Sequence, residues 1–185
     1  MKLHYKFLDI PNHKLISDKL YDYVANHTYV PHEEKFTNPL NLQEAYEYVP
    51  ELKEALDNLG LEMTYLSIIQ SIPGSYFDGG VHVDVGDAIH GARFIWPVYN
   101  CIGSETRFFD IPPELMKFSE VPDGYHAIIP TVPPPYKQID QYELTAPAAI
   151  DTRVPHGVFC DQSNPNRRWS ASMTFKNPPD YLLEI

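Results

Sequence analysis

The 185-residue sequence predicts a single domain of the α+β class, mainly β: a sandwich or jelly-roll barrel backed by N-terminal helices. Three observations predict it. From Leu61 onward the chain breaks into short β-branched or aromatic runs divided by Gly, Pro and Asp. Before that point apolar residues recur at three- and four-residue steps, the spacing of one helix face. The 18 Pro against 9 Gly supply many turns with φ already fixed, which suits closely spaced strands.

In chain order, residues 3 to 9 read as an edge strand. Past Pro11, the pattern Leu15, Leu20, Tyr21 and Val24 marks a first helix. Asn41 caps a second helical stretch over 42 to 58, whose apolar stripe is Leu42, Ala45, Tyr46, Val49, Leu52 and Leu56. Pro50 within it kinks or restarts the helix, and Gly60 stops it. Residues 1 to 60 thus form a helical support, with a substrate lid as the functional alternative. Candidate strands follow at 62–71, 80–85, 92–99, 105–109, 125–130, 138–145, 148–151, 156–160 and 168–175. They give a β core over 61–176 and leave 177–185 as a C-terminal tail. Pro133-Pro134-Pro135 reads as a rigid loop. With no internal repeat or linker, a second catalytic module is not expected.

The formal charge of −11 and pI near 5.0 argue against a nucleic-acid partner, whose binding relies on Lys and Arg neutralising phosphates. Cys101 and Cys160 are the two cysteines, and nothing around them calls for oxidation. Met1-Lys2-Leu3-His4-Tyr5-Lys6 lacks the apolar run of a signal peptide, and no apolar stretch approaches membrane-spanning length. A soluble, cytoplasmic protein is expected. No association motif is visible, so the oligomeric state is not readable from the sequence.

The stretch Gly79-Gly80-Val81-His82-Val83-Asp84-Val85-Gly86 carries the chemistry. Alternate strand residues share a face, so His82 and Asp84 project together, away from Val81, Val83 and Val85. A second imidazole, His156 between Pro155 and Gly157, completes a 2-His-1-carboxylate set, a donor arrangement that suits Fe(II) with positions left open. A His and an Asp hydrogen-bonded at a strand end is the structural alternative.

The last strand alternates: Arg168, Ser170, Ser172 and Thr174 share one face, and Trp169, Ala171, Met173 and Phe175 share the other with Arg167. The second face suits packing on helices, and the first a polar pocket wall. Arg168 and Ser170 can together hold a carboxylate; a one-residue slip in register would substitute Arg167. Asp87 and His90 are further candidates as metal ligands or substrate-facing groups, though Gly86 places them in a loop. Tyr65 and Tyr99 lie on predicted strands, either reaching a cosubstrate or substrate or packing in the core. Arg93 either binds an acidic substrate or pairs with a carboxylate. His126 at a strand start, and His4, His13, His27 and His32, read as surface or structural histidines.

His82-x-Asp84, the distal His156 and Arg168-x-Ser170 together resemble the Fe(II)- and 2-oxoglutarate-dependent oxygenases of the double-stranded β-helix fold, over residues 61 to 176. Tyr76 to Asp84 is similar to the turn before the iron ligands in prolyl-hydroxylase-like members. Gly103-Ser104-Glu105-Thr106-Arg107-Phe108-Phe109 resembles their Gly-Gly-Glu-Thr-x-Phe strand, with Ser104 replacing the second glycine. Those members commonly use Lys where Arg168 stands here, so no subfamily substrate follows. The resemblance implies iron on His82, Asp84 and His156, and 2-oxoglutarate anchored by Arg168 and Ser170. It also implies use of O2 to hydroxylate an amino acid, a peptidyl side chain or another small metabolite. A cupin-like metalloenzyme that does not use 2-oxoglutarate, or a catalytically silent binding module, are the alternatives.

Overall fold

The structure, a computed structural model, describes residues 3–28, 37–74, 79–84, 91–120, 126–163 and 166–184. Asp87 and His90, together with Tyr76 to Asp78, Val85, Gly86 and His32, lie outside the described residues. The described chain is mainly β, with three α-helices and antiparallel sheets.

Helix α1 (His13–His27) turns Ile16, Leu20, Tyr23 and Val24 inward. The second helical stretch divides where Pro50 requires it, into α2 (Leu42–Tyr48) and α3 (Pro50–Asn58). The Asn41 side chain accepts from the Gln43 and Glu44 amides at the start of α2. At the far end Gly60 adopts φ 68°, and the Gly60 and Leu61 amides donate to Asp57 and Leu56 carbonyls, which closes α3.

Among the described residues twelve strands follow or flank these helices: β1 (Tyr5–Phe7), β2 (Thr37–Pro39), β3 (Met63–Ser71), β4 (Val83–Asp84), β5 (Ala92–Tyr99), β6 (Glu105–Asp110), β7 (Met116–Glu120), β8 (His126–Pro130), β9 (Lys137–Glu143), β10 (Ala148–Asp151), β11 (His156–Phe159) and β12 (Arg168–Phe175). Six form one antiparallel sheet in the order β1-β10-β5-β12-β3-β2. The others form two three-stranded groups, β11-β6-β9 and β4-β8-β7, joined where His82 and His156 exchange backbone hydrogen bonds.

The helices cover one face of the six-stranded sheet. Leu66 and Ile68 of β3, Phe94 and Trp96 of β5, and Ala171, Met173 and Phe175 of β12 bury against them, and Trp96 Nε1 donates to Ser17 Oγ of α1 at 3.0 Å. On the opposite face, Ile95, Ala148 and Ile150 pack against Phe108 of β6 and Tyr142 of β9, which join the two strand layers. Ser172 pairs with Ile95 in register, so Arg168, Ser170 and Ser172 look into this second, inter-sheet space. The final residues are not a loose tail. Leu183 is fully buried, its carbonyl accepts from the Leu3 amide, and a Cβ on Gly91 would stand 2.1 Å from Pro178.

Candidate metal centre and anion pocket

Gly79, at φ 75°, brings the chain onto β11, and its amide donates to the Val158 carbonyl at 2.7 Å. Three residues later His82 and His156 exchange reciprocal backbone hydrogen bonds of 2.8 Å, so their side chains leave the sheet on the same side. The ring centroids stand 4.7 Å apart. Asp84, two residues along β4, returns to the same face, its amide donating to the Thr152 carbonyl at 3.3 Å. One ligand atom from each of His82, Asp84 and His156 lies within 4.8 Å of the other two.

Backbone acceptors set both tautomers. His82 Nδ1 lies 2.9 Å from the Gly80 carbonyl and His156 Nδ1 lies 2.9 Å from the Val154 carbonyl. A carbonyl only accepts, so each Nδ1 carries a proton; His156 Nε2 then presents its lone pair to the cluster, while His82 Nε2 faces Asp84 Oδ1 at 3.3 Å. Gly157 makes the His82 contact sterically feasible: a Cβ there would stand 3.0 Å from the Gly80 oxygen.

Electrostatics keep the three groups distinct. Burial opposes the Asp84 charge, but the His82 hydrogen bond and the charges of Arg93 and His156 outweigh it, so the carboxyl sits well below its usual range. Burial likewise opposes protonation of His82, and the Asp84 hydrogen bond and charge reverse the balance upward. Burial and the neighbouring His82 push His156 down to about 4, so it is a neutral imidazole near pH 7.

A second polar group lies in the inter-sheet space. Arg168, 2% exposed, donates from Nη1 to Ser170 Oγ at 3.1 Å and stands opposite Ser71 of β3. Arg168 Nε, Ser71 Oγ and Tyr142 Oη are buried and, among the described residues, make no hydrogen bond of acceptable geometry. Burial pushes the Tyr142 phenol up to about 12 against the opposing pull of Thr106 and the Arg168 charge, so it remains a neutral donor. One guanidinium N–H and two buried hydroxyls beside it, all left over, match a ligand carboxylate, because a buried polar group without a partner is costly. Arg167 is turned elsewhere, donating from Nη1 to Gln70 Oε1 at 3.1 Å.

Ser71 and Tyr142 were absent from the sequence-based site. Ser71 becomes legible once β3 is paired with β12, which puts it opposite Arg168, whereas Tyr142 comes from a separate strand layer and left no local signal. Two candidate residues lie away from the pocket, and for a third the geometry selects one of the two stated alternatives. Tyr99 does not face the pocket: a register shift between Trp169 and Ser170 pairs Tyr99 with Trp169, and its 41% exposed ring stacks on Tyr21 of α1 at 4.9 Å. Tyr65 pairs with Thr174, six residues along β12 from Arg168 and so roughly 20 Å away. Arg93 takes the carboxylate-pairing alternative, with Nη1 3.2 Å from Asp84 Oδ2, instead of standing free for a substrate.

No family model matches the sequence, and no curated protein matches it. Solved structures do match. The crystal structure of a Pseudomonas putida prolyl-4-hydroxylase aligns with a TM-score of 0.51 at 14% identity, covering 94% of this chain and 92% of that one. The epimerase SnoN, crystallised in complex with Fe3+, α-ketoglutarate and nogalamycin RO, aligns with a TM-score of 0.56 at 12% identity, covering 100% of this chain and 86% of its own. The fold is that of the Fe(II)/2-oxoglutarate oxygenases. Within this fold, the cluster is carried by Asp84 on β4, His156 on β11 and His82 just before β4. No helix among the described residues is long and apolar enough to cross a membrane.

Proposed function

We propose that the chain is an Fe(II)- and 2-oxoglutarate-dependent dioxygenase that hydroxylates an amino acid, a peptidyl side chain or another small metabolite. In this reading residues 1–185 form one domain, with a double-stranded β-helix over 61–176, working as a soluble cytoplasmic enzyme on a small-molecule or peptidyl substrate. The observation that carries the proposal is the pair of carbonyl-fixed imidazoles beside Asp84, accompanied by a buried guanidinium with unused donors around it.

His82, Asp84 and His156 would hold iron, two neutral nitrogens and one carboxylate being a donor set suited to Fe(II). Iron there would couple oxidative decarboxylation of 2-oxoglutarate by O2 to oxidation of a substrate C–H bond. The chain's own residues do the positioning. The Gly80 and Val154 carbonyls fix the imidazole planes. Arg168 and Ser170 take the far carboxylate of 2-oxoglutarate, with Ser71 and Tyr142 supplying further neutral donors that hold it without adding charge. Burial of this pocket keeps water from competing for those donors. The Arg168 pocket is what favours this reading over a metalloenzyme that does without 2-oxoglutarate.

Succinate release from 2-oxoglutarate in the presence of Fe(II) and O2 tests the proposal. The purified protein is expected to form succinate and to lose that activity in both His82→Ala and Arg168→Ala. Full activity in Arg168→Ala would remove the assigned anchor, and metal-dependent turnover without 2-oxoglutarate would favour the cupin-like alternative.

A further inference from the structure

Arg93 is the second residue of β5, inside the six-stranded sheet, with β10 paired beside it through Ile150. Asp84 belongs to the other strand layer, so their ion pair crosses between the two. Each carboxylate oxygen meets a side chain of the site. Oδ2 lies 3.2 Å from Arg93 Nη1, and Oδ1 lies 3.3 Å from His82 Nε2. The Arg93 side chain is only 15% exposed, and its Nε is buried with no hydrogen bond among the described residues, so the guanidinium is not a solvated surface group that swings away freely.

A carboxylate can meet a divalent cation through one oxygen or through both. Two-oxygen binding by Asp84 requires Oδ2 to leave Arg93, which would strand a buried guanidinium without its counter-charge. We propose that Arg93 restricts Asp84 to one metal-facing oxygen, so that the protein contributes three donor atoms instead of four and the rest of the metal's coordination stays available to ligands. The inference rests on the metal reading above. Arg93 touches Asp84 and not the reacting atoms; it is a positioning residue. Its positive charge, 3.2 Å from the Asp84 carboxylate, also opposes a cation entering beside that carboxylate. Metal affinity is thereby held below what the three ligands alone would give.

The direction of that effect separates this role from a merely structural one. Cobalt(II) is the probe, titrated anaerobically into wild type, Arg93→Met and Arg93→Lys with visible absorption as the readout. Arg93→Met is expected to bind cobalt about tenfold more tightly, since a like charge has been removed and a fourth donor released. Its cobalt spectrum should change, and its cobalt form should bind 2-oxoglutarate more weakly. Arg93→Lys, which restores a cation, should return toward wild type on all three measures. Circular dichroism checks the fold, and Arg93→Gln replaces the Met variant if that one does not fold. Unchanged cobalt affinity and spectrum in Arg93→Met overturns the inference, as does weaker cobalt binding with an unchanged spectrum. Absence of stoichiometric cobalt uptake by wild type removes the metal reading itself, a different result from either.

Discussion

Adding one methyl group at Gly157 should loosen the metal centre without altering a ligand. A Cβ at this position would stand 3.0 Å from the Gly80 oxygen, 3.3 Å from its carbonyl carbon and 3.5 Å from Val81 Cα. All three are backbone atoms, so no flexible side chain can move aside, and the Gly80-Val81 backbone must retreat from β11 by a few tenths of an ångström. The Gly80 carbonyl is also the acceptor that orients His82, at 2.9 Å from Nδ1. Disturbing a hydrogen bond that orients a metal ligand lowers metal affinity about 10- to 100-fold, or about 1.4–2.8 kcal/mol. Overpacking destabilises the fold by about 1–3 kcal/mol, partly offset by about 0.4–1 kcal/mol from the stiffer unfolded chain, because Gly157 lies within β11 and does not adopt a positive φ. Gly157→Ala should therefore fold and bind metal more weakly. Anaerobic Fe(II) titration against a competing chelator, with a thermal melt of the metal-free protein alongside, measures both effects. Wild-type metal affinity in a folded Gly157→Ala protein would refute the steric account of His82.

Arg168→Met should raise the 2-oxoglutarate concentration needed for half-maximal binding by about 100-fold or more, the loss of two charge-assisted hydrogen bonds, while leaving metal affinity near wild type; isothermal titration of the metal-loaded protein checks this. Tyr142→Phe should remove an alkaline component of the stability curve. The folded phenol ionises near 12, above the usual value of 10, so its contribution is fully present below about pH 10 and disappears as pH rises through about 12. That loss amounts to roughly 3 kcal/mol by linkage, and comparing urea unfolding of the two proteins across pH 9 to 12 measures it. Leu20→Ala, at a fully buried position where α1 meets the sheet, should destabilise the protein by about 2–5 kcal/mol in urea melts, without changing metal stoichiometry.

Features governed by short-range rules were legible in the sequence. Pro50 and Asn41 act within one helical turn, and α2 and α3 divide and begin where they require. The spacing of His82 and Asp84 needs only the twofold alternation of a strand, and β12 spans 168–175 as its pattern indicates. Features set by pairing between distant strands were less legible. Tyr99 alternates with Arg93 and Ile95 until a bulge at Val98, next to Pro97 on the same strand, turns its ring toward α1; Pro97 is the one local sign of it. Ser71 and Tyr142 reach Arg168 only because three separate strands converge there. Strand β7, Met116–Glu120, carries a weak β signal because its Lys, Ser and Glu residues dilute it, yet it pairs residue for residue with β8.

The most direct measurement is a crystal structure with Mn(II) and 2-oxoglutarate bound, the metal located by its anomalous signal. The account predicts one metal ion between His82 Nε2, Asp84 Oδ1 and His156 Nε2. It also predicts the far carboxylate of 2-oxoglutarate on Arg168, within reach of Ser170, Ser71 and Tyr142. A metal bound elsewhere, or a carboxylate seated on Arg167 or Arg93 with the Arg168 pocket empty, would contradict it.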